Sequence, residues 1–419
     1  MILGKFLECI ILFYENIIVV ISYNSNIDKA YQYLLIFLAF LLPLTVAGGN
    51  IIMGLIVILW LLSGSYKEKF NQIRGNKLAV ASLIFFAVHV LGLLWTSDMT
   101  WGLHIVRKMQ DFFIYLPILL TITKKENIKY YISAFLLAIT ITEILSYMVW
   151  FEVMPAFKNA TIDNPTPFMS HISYNPILAF SIYLVSHEVL FNKALDAIKI
   201  YIYSFFVITM TFNMFITGGR AGQVMYFVML IILIFQYFDS QKKKALIAVL
   251  ILIPGIFFSA YQMSNIFHER VDLAINNIAN YADNKGSSTG LRITFALNSW
   301  EIIKENPIIG VGTGDFPDEY RKINMSKTPG LPNATNPHNM YTLILVQLGL
   351  LGLGSMFYLF FVQIKVALTS KSKFLRDIGL VLPILFSVIM WSDSYLLGHY
   401  TAFLFVFFSS FLYKNFEKF

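Results

Sequence analysis

The chain has 419 residues, 57% hydrophobic and 13% charged, with a formal net charge of +7 and one cysteine, Cys9. Soluble domains carry about 25% charged residues, so this composition excludes an ordinary soluble protein, and a single cysteine excludes an internal disulfide or a cysteine-rich metal site. Apolar runs recur from end to end, and they are too long and continuous for barrel strands. A helical span needs ~20 mostly apolar residues, so the chain reads as an all-α polytopic membrane protein of about 12 transmembrane helices with one large loop containing short helices. The positive charge then reflects Lys and Arg in cytoplasmic loops, and no nucleic-acid partner is expected.

Residues 1–30 read as an N-terminal interfacial segment. Its apolar run carries Glu8 and Glu15 seven apart on one face, which suits a helix lying on the membrane; a spanning version of 6–23 stays open. No cleavable signal peptide is evident, because Glu15 interrupts the run and no small-residue cleavage site follows. Residues 31–260 hold spans one to nine. The first two, about 31–46 and 51–62, flank a Gly48-Gly49-Asn50 break, and a basic loop with Lys67, Lys69, Arg74 and Lys77 follows. The third span is about 78–95. Residues 96–110, with Asp98, Trp101, His104, Arg107 and Lys108, read as a short amphipathic turn or helix. The fourth, about 112–122, ends at Lys124-Lys125, and the fifth, about 130–150, leads to a polar loop containing three prolines and His171. The sixth returns to a basic stretch, and the seventh runs out to the tight hairpin Thr217-Gly218-Gly219-Arg220-Ala221-Gly222-Gln223. The eighth ends at Lys242-Lys243-Lys244, and the ninth delivers the chain to a long polar loop, 261–338. Residues 339–419 hold spans ten to twelve and a basic tail. With both ends inside, the basic loops fall on one side; the Gly-Gly-Arg hairpin and the large loop fall on the other. No soluble domain and no internal repeat is evident.

Chemistry is expected at that second surface. Arg220 opens a helix whose first amides carry partial positive charge, and Gly218 and Gly219 permit a close backbone approach to a phosphate; taken alone, Arg220 reads more simply as a snorkelling arginine, and the Gly-rich turn around it weighs against that. Arg292 opens an amphipathic stretch whose apolar stripe includes Leu291, Phe295, Leu297 and Trp300, although an ordinary surface arginine remains open there. His338, between Pro337 and Asn339 at the mouth of the tenth span, is suited to general-base work near neutral pH, with an interfacial helix cap as the plainer reading. His171 and His399 lie on the same side. Glu301, Asp315, Asp318 and Glu319 are candidate bases or metal ligands, and more simply solvated charges. No His-x-x-x-His or Cys/His cluster supports a metal, and no cofactor is implied.

Two motifs carry a resemblance. His338-Asn339, nine residues, Gly349, two residues and Gly352 matches a signature of bacterial O-antigen ligases. The run Arg292, Trp300, Pro307, Gly310, Gly312, with the upstream Gly-Gly-Arg-Ala-Gly hairpin, also resembles that family, as does the hydropathy layout beyond the first thirty residues. The resemblance implies transfer of a glycan from undecaprenyl diphosphate to a sugar of lipid A–core, at the periplasmic face of the bacterial inner membrane, which makes the large loop periplasmic. It implies His338 as base and Arg220 and Arg292 as the diphosphate clamp; Gly219, Asn339 and Trp300 are expected to support them, and Arg107 and Lys108 are lesser candidates for extra phosphate contacts. O-antigen polymerases and protein O-oligosaccharyltransferases share the loop, so the acceptor stays open, as does the oligomeric state. A lipid-linked glycan transporter is the reading from another class. It is disfavoured because the spans look almost charge-free and no repeat is seen.

Overall fold

A computed structural model describes residues 27–416. The interfacial segment expected for 1–30 lies outside the described residues except for 27–30, and so do residues 417–419 of the basic tail. The described chain is all-α. In order it forms α1 (Ile27–Leu41), α2 (Val46–Leu62), α3 (Tyr66–Gly75), α4 (Lys77–Leu91), α5 (Met99–Lys108), α6 (Leu116–Ile122), α7 (Ile128–Trp150), α8 (His171–Phe191) and α9 (Ala197–Ile216). Then come α10 (Arg220–Tyr237), α11 (Lys242–Met263), α12 (Asn265–Ala279), α13 (Ser288–Glu305), α14 (Phe316–Lys327), α15 (Met340–Thr369), α16 (Lys373–Ile389) and α17 (His399–Leu412).

Six stretches among the described residues are long and apolar enough to cross a membrane: Lys77–Trp95, Lys125–Trp150, Ala197–Ile216, Arg220–Tyr237, Lys242–Met263 and Met340–Thr369. Counting the pair α2 and α3, bent by 118°, as one broken span makes seven. The chain is therefore a multi-pass helical membrane protein, with six or seven full-length spans by this measure where about twelve are expected. Some expected spans are short: α6 has 7 residues after a π-helical turn at Asp111–Tyr115, and α17 has 14. The expected Gly48-Gly49-Asn50 break also moves. Gly48 and Gly49 lie inside α2, whose start is capped by Thr45, and the break sits at 42–45, around Pro43. Among the described residues, one acid lies in the middle of these six stretches, Glu143 of α7, with both carboxyl oxygens buried; the expected near-absence of charge in mid-span has that exception.

The short α17 is the centre of the bundle. Every residue from Thr401 to Tyr413 is buried, as befits a helix that is apolar all round. Phe405 meets Phe386 and Phe112 at 4.8 and 5.7 Å between ring centres, and Phe408 meets Phe180 and Phe135 at 4.9 and 5.2 Å. By contrast α11 buries only Ala245 and Ala260. An apolar helix need not be covered by protein where lipid covers it equally well.

The two ends of the bundle differ. At one end Asn76 Nδ2 donates to the Tyr413 carbonyl (3.4 Å), Lys414 Nζ to the Thr123 carbonyl (2.7 Å), and Lys124 pairs with Asp28 at 2.9 Å. Helix α4 starts there and finishes at the other end, where the Gly92 carbonyl accepts from Thr313 N (3.3 Å). That second end also gathers the Gly218–Arg220 turn, α12 to α14, His338 and the turn after α16. The basic loops and the large polar loop thus occupy opposite ends, as the charge pattern required.

Candidate functional site

Arg220 is the first residue of α10, after the extended turn Thr217-Gly218-Gly219. The turn is locked onto α8 by Asn175. Its Oδ1 accepts from Thr217 Oγ1 (2.9 Å), and its Nδ2 donates to the carbonyls of Met214 (3.3 Å) and Gly219 (3.4 Å). A Cβ on Gly219 would fall 2.5 Å from Asn175 Cγ, and one on Gly222 would fall 2.2 Å from Asn175 Cβ. These two glycines let α10 pack closely on α8, a role for Gly219 that the sequence did not suggest. Gly218 faces the site: its amide donates to Asn164 Oδ1 (3.0 Å), and Asn164 Nδ2 meets His171 Nδ1 at 2.7 Å.

Helix α13 acts as a ruler across the site. Ser287 Oγ caps it, accepting from Gly290 N at 3.0 Å. In its first turn, Thr289 Oγ1 and Ser288 Oγ accept from Arg220 Nη1 (3.1 Å) and Nη2 (3.3 Å). Arg292 stands one turn on. Another turn on, the Phe295 ring lies stacked with the His338 ring, 6.2 Å apart at 25°. Residues three and four apart share a helix face. Arg220, Arg292 and His338 are therefore ranged along one side of α13, with Thr289 and Phe295 about 9 Å apart at 1.5 Å per residue.

His338 has φ +51, a left-handed conformation that a non-glycine residue adopts only when held. What holds it is the polar turn after α16. Its amide donates to Asn336 Oδ1 (2.9 Å), which also accepts from Ser394 Oγ (2.9 Å). Its Nδ1 lies 3.3 Å from Asp393 Oδ1. Asn339 caps α15, accepting from Thr342 N at 3.0 Å, while its Nδ2 donates to the Trp391 carbonyl at 3.3 Å. Burial pushes the Asp393 carboxyl up. The hydrogen bond and charge of His338, the Ser394 amide and the Arg292 charge outweigh it and hold the group below its ordinary value. Asp393 is ionised at neutral pH, fixes Nδ1 of the imidazole as the donor nitrogen, and leaves Nε2 without a hydrogen bond among the described residues.

Sequence reasoning missed Asp393, Asn164 and a third guanidinium, Arg270 on α12. A Cβ built on Gly218 would lie 3.5 Å from Arg270 Nη2, so Arg270 stands directly over the Gly218–Arg220 turn. Arg220, Arg270 and Arg292 are each half-buried, and none is ion-paired with a carboxylate among the described residues. The imidazole of His171 is depressed by burial and then by the charges of Arg270, Arg220 and Arg292. An anion is the natural complement of such a cluster.

Other expected residues lie elsewhere. Trp300 is 55% exposed. With the equally exposed Leu297 it stands on the outer side of α13, because the buried face is Thr294, Phe295, Asn298, Ser299, Ile302 and Ile303. The expected stripe therefore holds only for its Leu291–Phe295 part. Arg107 and Lys108 are not brought to the guanidinium cluster. They line a separate cleft of about 230 Å³ with His104, Asp111 and His399. Asp315, 4% exposed, caps the start of α5: its oxygens accept from Ser97 N (2.8 and 2.9 Å) and Asp98 N (2.8 Å). Glu301 pairs with Lys304 and Lys327, Asp318 with Arg321, and Glu319 with Lys322. No cluster of His, Cys, Asp and Glu among the described residues has metal-binding geometry.

The remaining motif residues form a clip. Helix α15 breaks at Gly349, φ +58 and ψ −152, a conformation nearly confined to glycine. The amides freed beyond the break donate into the loop: Leu350 N to the Pro307 carbonyl (2.9 Å) and Leu351 N to the Ile308 carbonyl (3.1 Å). The loop returns the bonds, Val311 N to the Val346 carbonyl and Gly312 N to the Gln347 carbonyl, both 2.9 Å. Gly310 has φ +69, and a Cβ there would meet Gln347 C at 2.3 Å. The Pro-x-x-Gly-x-Gly run and Gly349 are thus two halves of one joint.

Residues 205–357 match the family model described as O-antigen ligase. The match takes in Arg220, Arg270, Arg292, the clip and His338, but neither His171 nor Asp393. No curated protein matches the chain.

Proposed function

We infer that this protein transfers a glycan from undecaprenyl diphosphate to an acceptor hydroxyl, as an O-antigen ligase acting on a sugar of lipid A–core at the periplasmic face of the bacterial inner membrane. The observation that carries the reading is the convergence of Arg220, Arg292 and the His338–Asp393 pair, from four distant stretches, at one end of the bundle. Among the described residues no carboxylate forms an ion pair with these guanidiniums, which leaves their hydrogen-bonding edges to a ligand. The family match over residues 205–357 supports the same chemistry. Lipid A–core is favoured as acceptor because the His-Asn-x9-Gly-x-x-Gly signature is complete.

In this reading Arg220 and Arg292 hold the diphosphate by charge-assisted hydrogen bonds. Nε2 of His338 takes the proton of the acceptor hydroxyl, while Asp393 stabilises the imidazolium through Nδ1. The hydroxyl oxygen bonds to the anomeric carbon from the face opposite the diphosphate, and the bond from that carbon to the diphosphate oxygen breaks. Undecaprenyl diphosphate leaves with the electron pair, and the anomeric configuration inverts. The guanidiniums meet the charge that develops on the leaving oxygen, the task electrostatic catalysis assigns to fixed cations, so no cofactor is required.

The test uses the full chain in lipid nanodiscs with a glycan-bearing undecaprenyl diphosphate donor. Arg220→Ala/Arg292→Ala should lose donor binding, and His338→Ala should bind donor but transfer nothing. Full transfer by His338→Ala removes the base, and unchanged donor affinity in the double variant removes the clamp. Offering lipid A–core, a second donor molecule and a protein acceptor in parallel separates ligase from polymerase and protein glycosylation.

A further inference from the structure

The ruler on α13 gives the site a direction. Its far end, at Phe295, holds the base. Its near end, at Thr289, holds Arg220, and beyond that Gly218 and Arg270. Arg270 stands over Gly218, at the Arg220 end of the ruler, while Arg292 is the guanidinium whose charge reaches Asp393 and Tyr395. Arg270 is therefore the guanidinium at the end away from the base.

Below that end lies a groove of about 770 Å³ between α9 and α11. Its walls include Phe212, Phe215, Ile251, Gly255 and Ile256, and at its rim Ser264 Oγ donates to the Phe215 carbonyl at 2.6 Å. Ile208, Phe212, Ile251 and Met263 leave it open to the bilayer. Its one carboxylate, Asp163, is exposed. Each wall runs directly into a guanidinium. Phe215-Ile216 continues into Gly218–Arg220, and Met263–Ile266 continues into α12, where Arg270 follows within about 8 Å of helix. One amphiphile with an apolar chain and an anionic head fits both parts.

Resting on the diphosphate reading above, we propose that the donor's polyprenyl chain lies in the groove between α9 and α11, with its lipid-side phosphate on Arg270 and its sugar-side phosphate between Arg220 and Arg292. The anomeric carbon then faces His338. The other occupant of such a groove is bilayer lipid, which has no need of Arg270.

The experiment measures binding of two probes, farnesyl diphosphate and inorganic pyrophosphate, to the full chain in nanodiscs, with melting temperature as the folding control. Arg270→Gln should weaken both on the order of tenfold, the scale of one charge-assisted contact, with Arg270→Lys between it and wild type. Gly255 lines the groove, and a Cβ there meets nothing within 4 Å. Gly255→Phe should therefore weaken farnesyl diphosphate and leave pyrophosphate unchanged. If Arg220→Gln weakens binding and Arg270→Gln does not, the assignment of Arg270 is overturned and the clamp stands. If Gly255→Phe leaves both affinities at wild type, the groove holds bilayer lipid only and the chain placement is overturned. If wild type binds neither probe, the diphosphate reading falls and this placement falls with it.

Discussion

Replacing Asp393 by asparagine removes one negative charge from beside His338 and almost no volume. The structure sets the size of the effect. At the 3.3 Å separation, opposite unit charges attract by about 5 kcal/mol at an effective dielectric of about 20, and by about 1.3 kcal/mol in water. The imidazole side chain is 42% exposed and the carboxylate 18%, so solvent screening keeps the interaction near the lower figure, about 1–2 kcal/mol. That energy is realised when the imidazole takes the acceptor's proton. It therefore belongs to the transition state and leaves donor binding alone. The expected outcome is a kcat about 5–30-fold below wild type with the donor KM unchanged. The assay is transfer by the purified full chain at varied donor concentration, with the melting temperature as a check that the turn after α16 survives. Wild-type kcat in Asp393→Asn, or a change confined to the donor KM, refutes the assignment of His338 and Asp393 as a working pair.

Gly349→Ala tests the joint: strain at φ +58, a Cβ 2.4 Å from Ile308 C and two lost loop bonds together cost about 3 kcal/mol or more. The melting temperature should fall; a wild-type melt would mean that Ile308 yields freely. Asp315→Ala strips the amides of Ser97 and Asp98 of a buried acceptor, a loss of about 2–3 kcal/mol. The donor KM of the folded fraction should stay at wild type, whereas a kcat effect at unchanged stability would restore Asp315 as a base. For His171, an anion among the guanidiniums offsets the field that depresses its imidazole, so the bound-state pKa lies above the free-state one. Donor affinity should then rise as pH falls below about 6.5, the ordinary histidine value. His171→Asn should flatten that slope, which isothermal titration at several pH values can follow.

The polytopic character was legible in the sequence; the Gly-Gly-Arg turn and His338 stood out because each sits at a boundary between apolar and polar runs, and Arg292 because it opens an amphipathic stretch in the polar loop. Span count was less legible. Hydropathy records apolar length but not burial, so α17, wrapped on every side by protein, reads like a lipid-facing span. Arg270 was invisible because it lies in mid-helix among polar residues and gains its place only when α12 folds back over Gly218. Asp393 looked like a solvated turn residue, since its partner is 55 positions earlier in the chain. Motif spacing drew attention to Trp300, which helix phase turns outward, and basic charge drew attention to Arg107, which lines a separate cleft.

The joint between residues 307–312 and the break in α15 bears on how this loop can be exchanged. Its bonds reach 346–351 on one side, while Thr313 and Asp315 reach Gly92, Ser97 and Asp98 on the other. A chimaera that grafts only the polar loop from a relative would meet the wrong socket on both sides. The transplantable module is the loop, the first half of α15 through Gly352 and the 89–98 corner together. Drift in any one of the three constrains the other two, as parts of a single heritable unit.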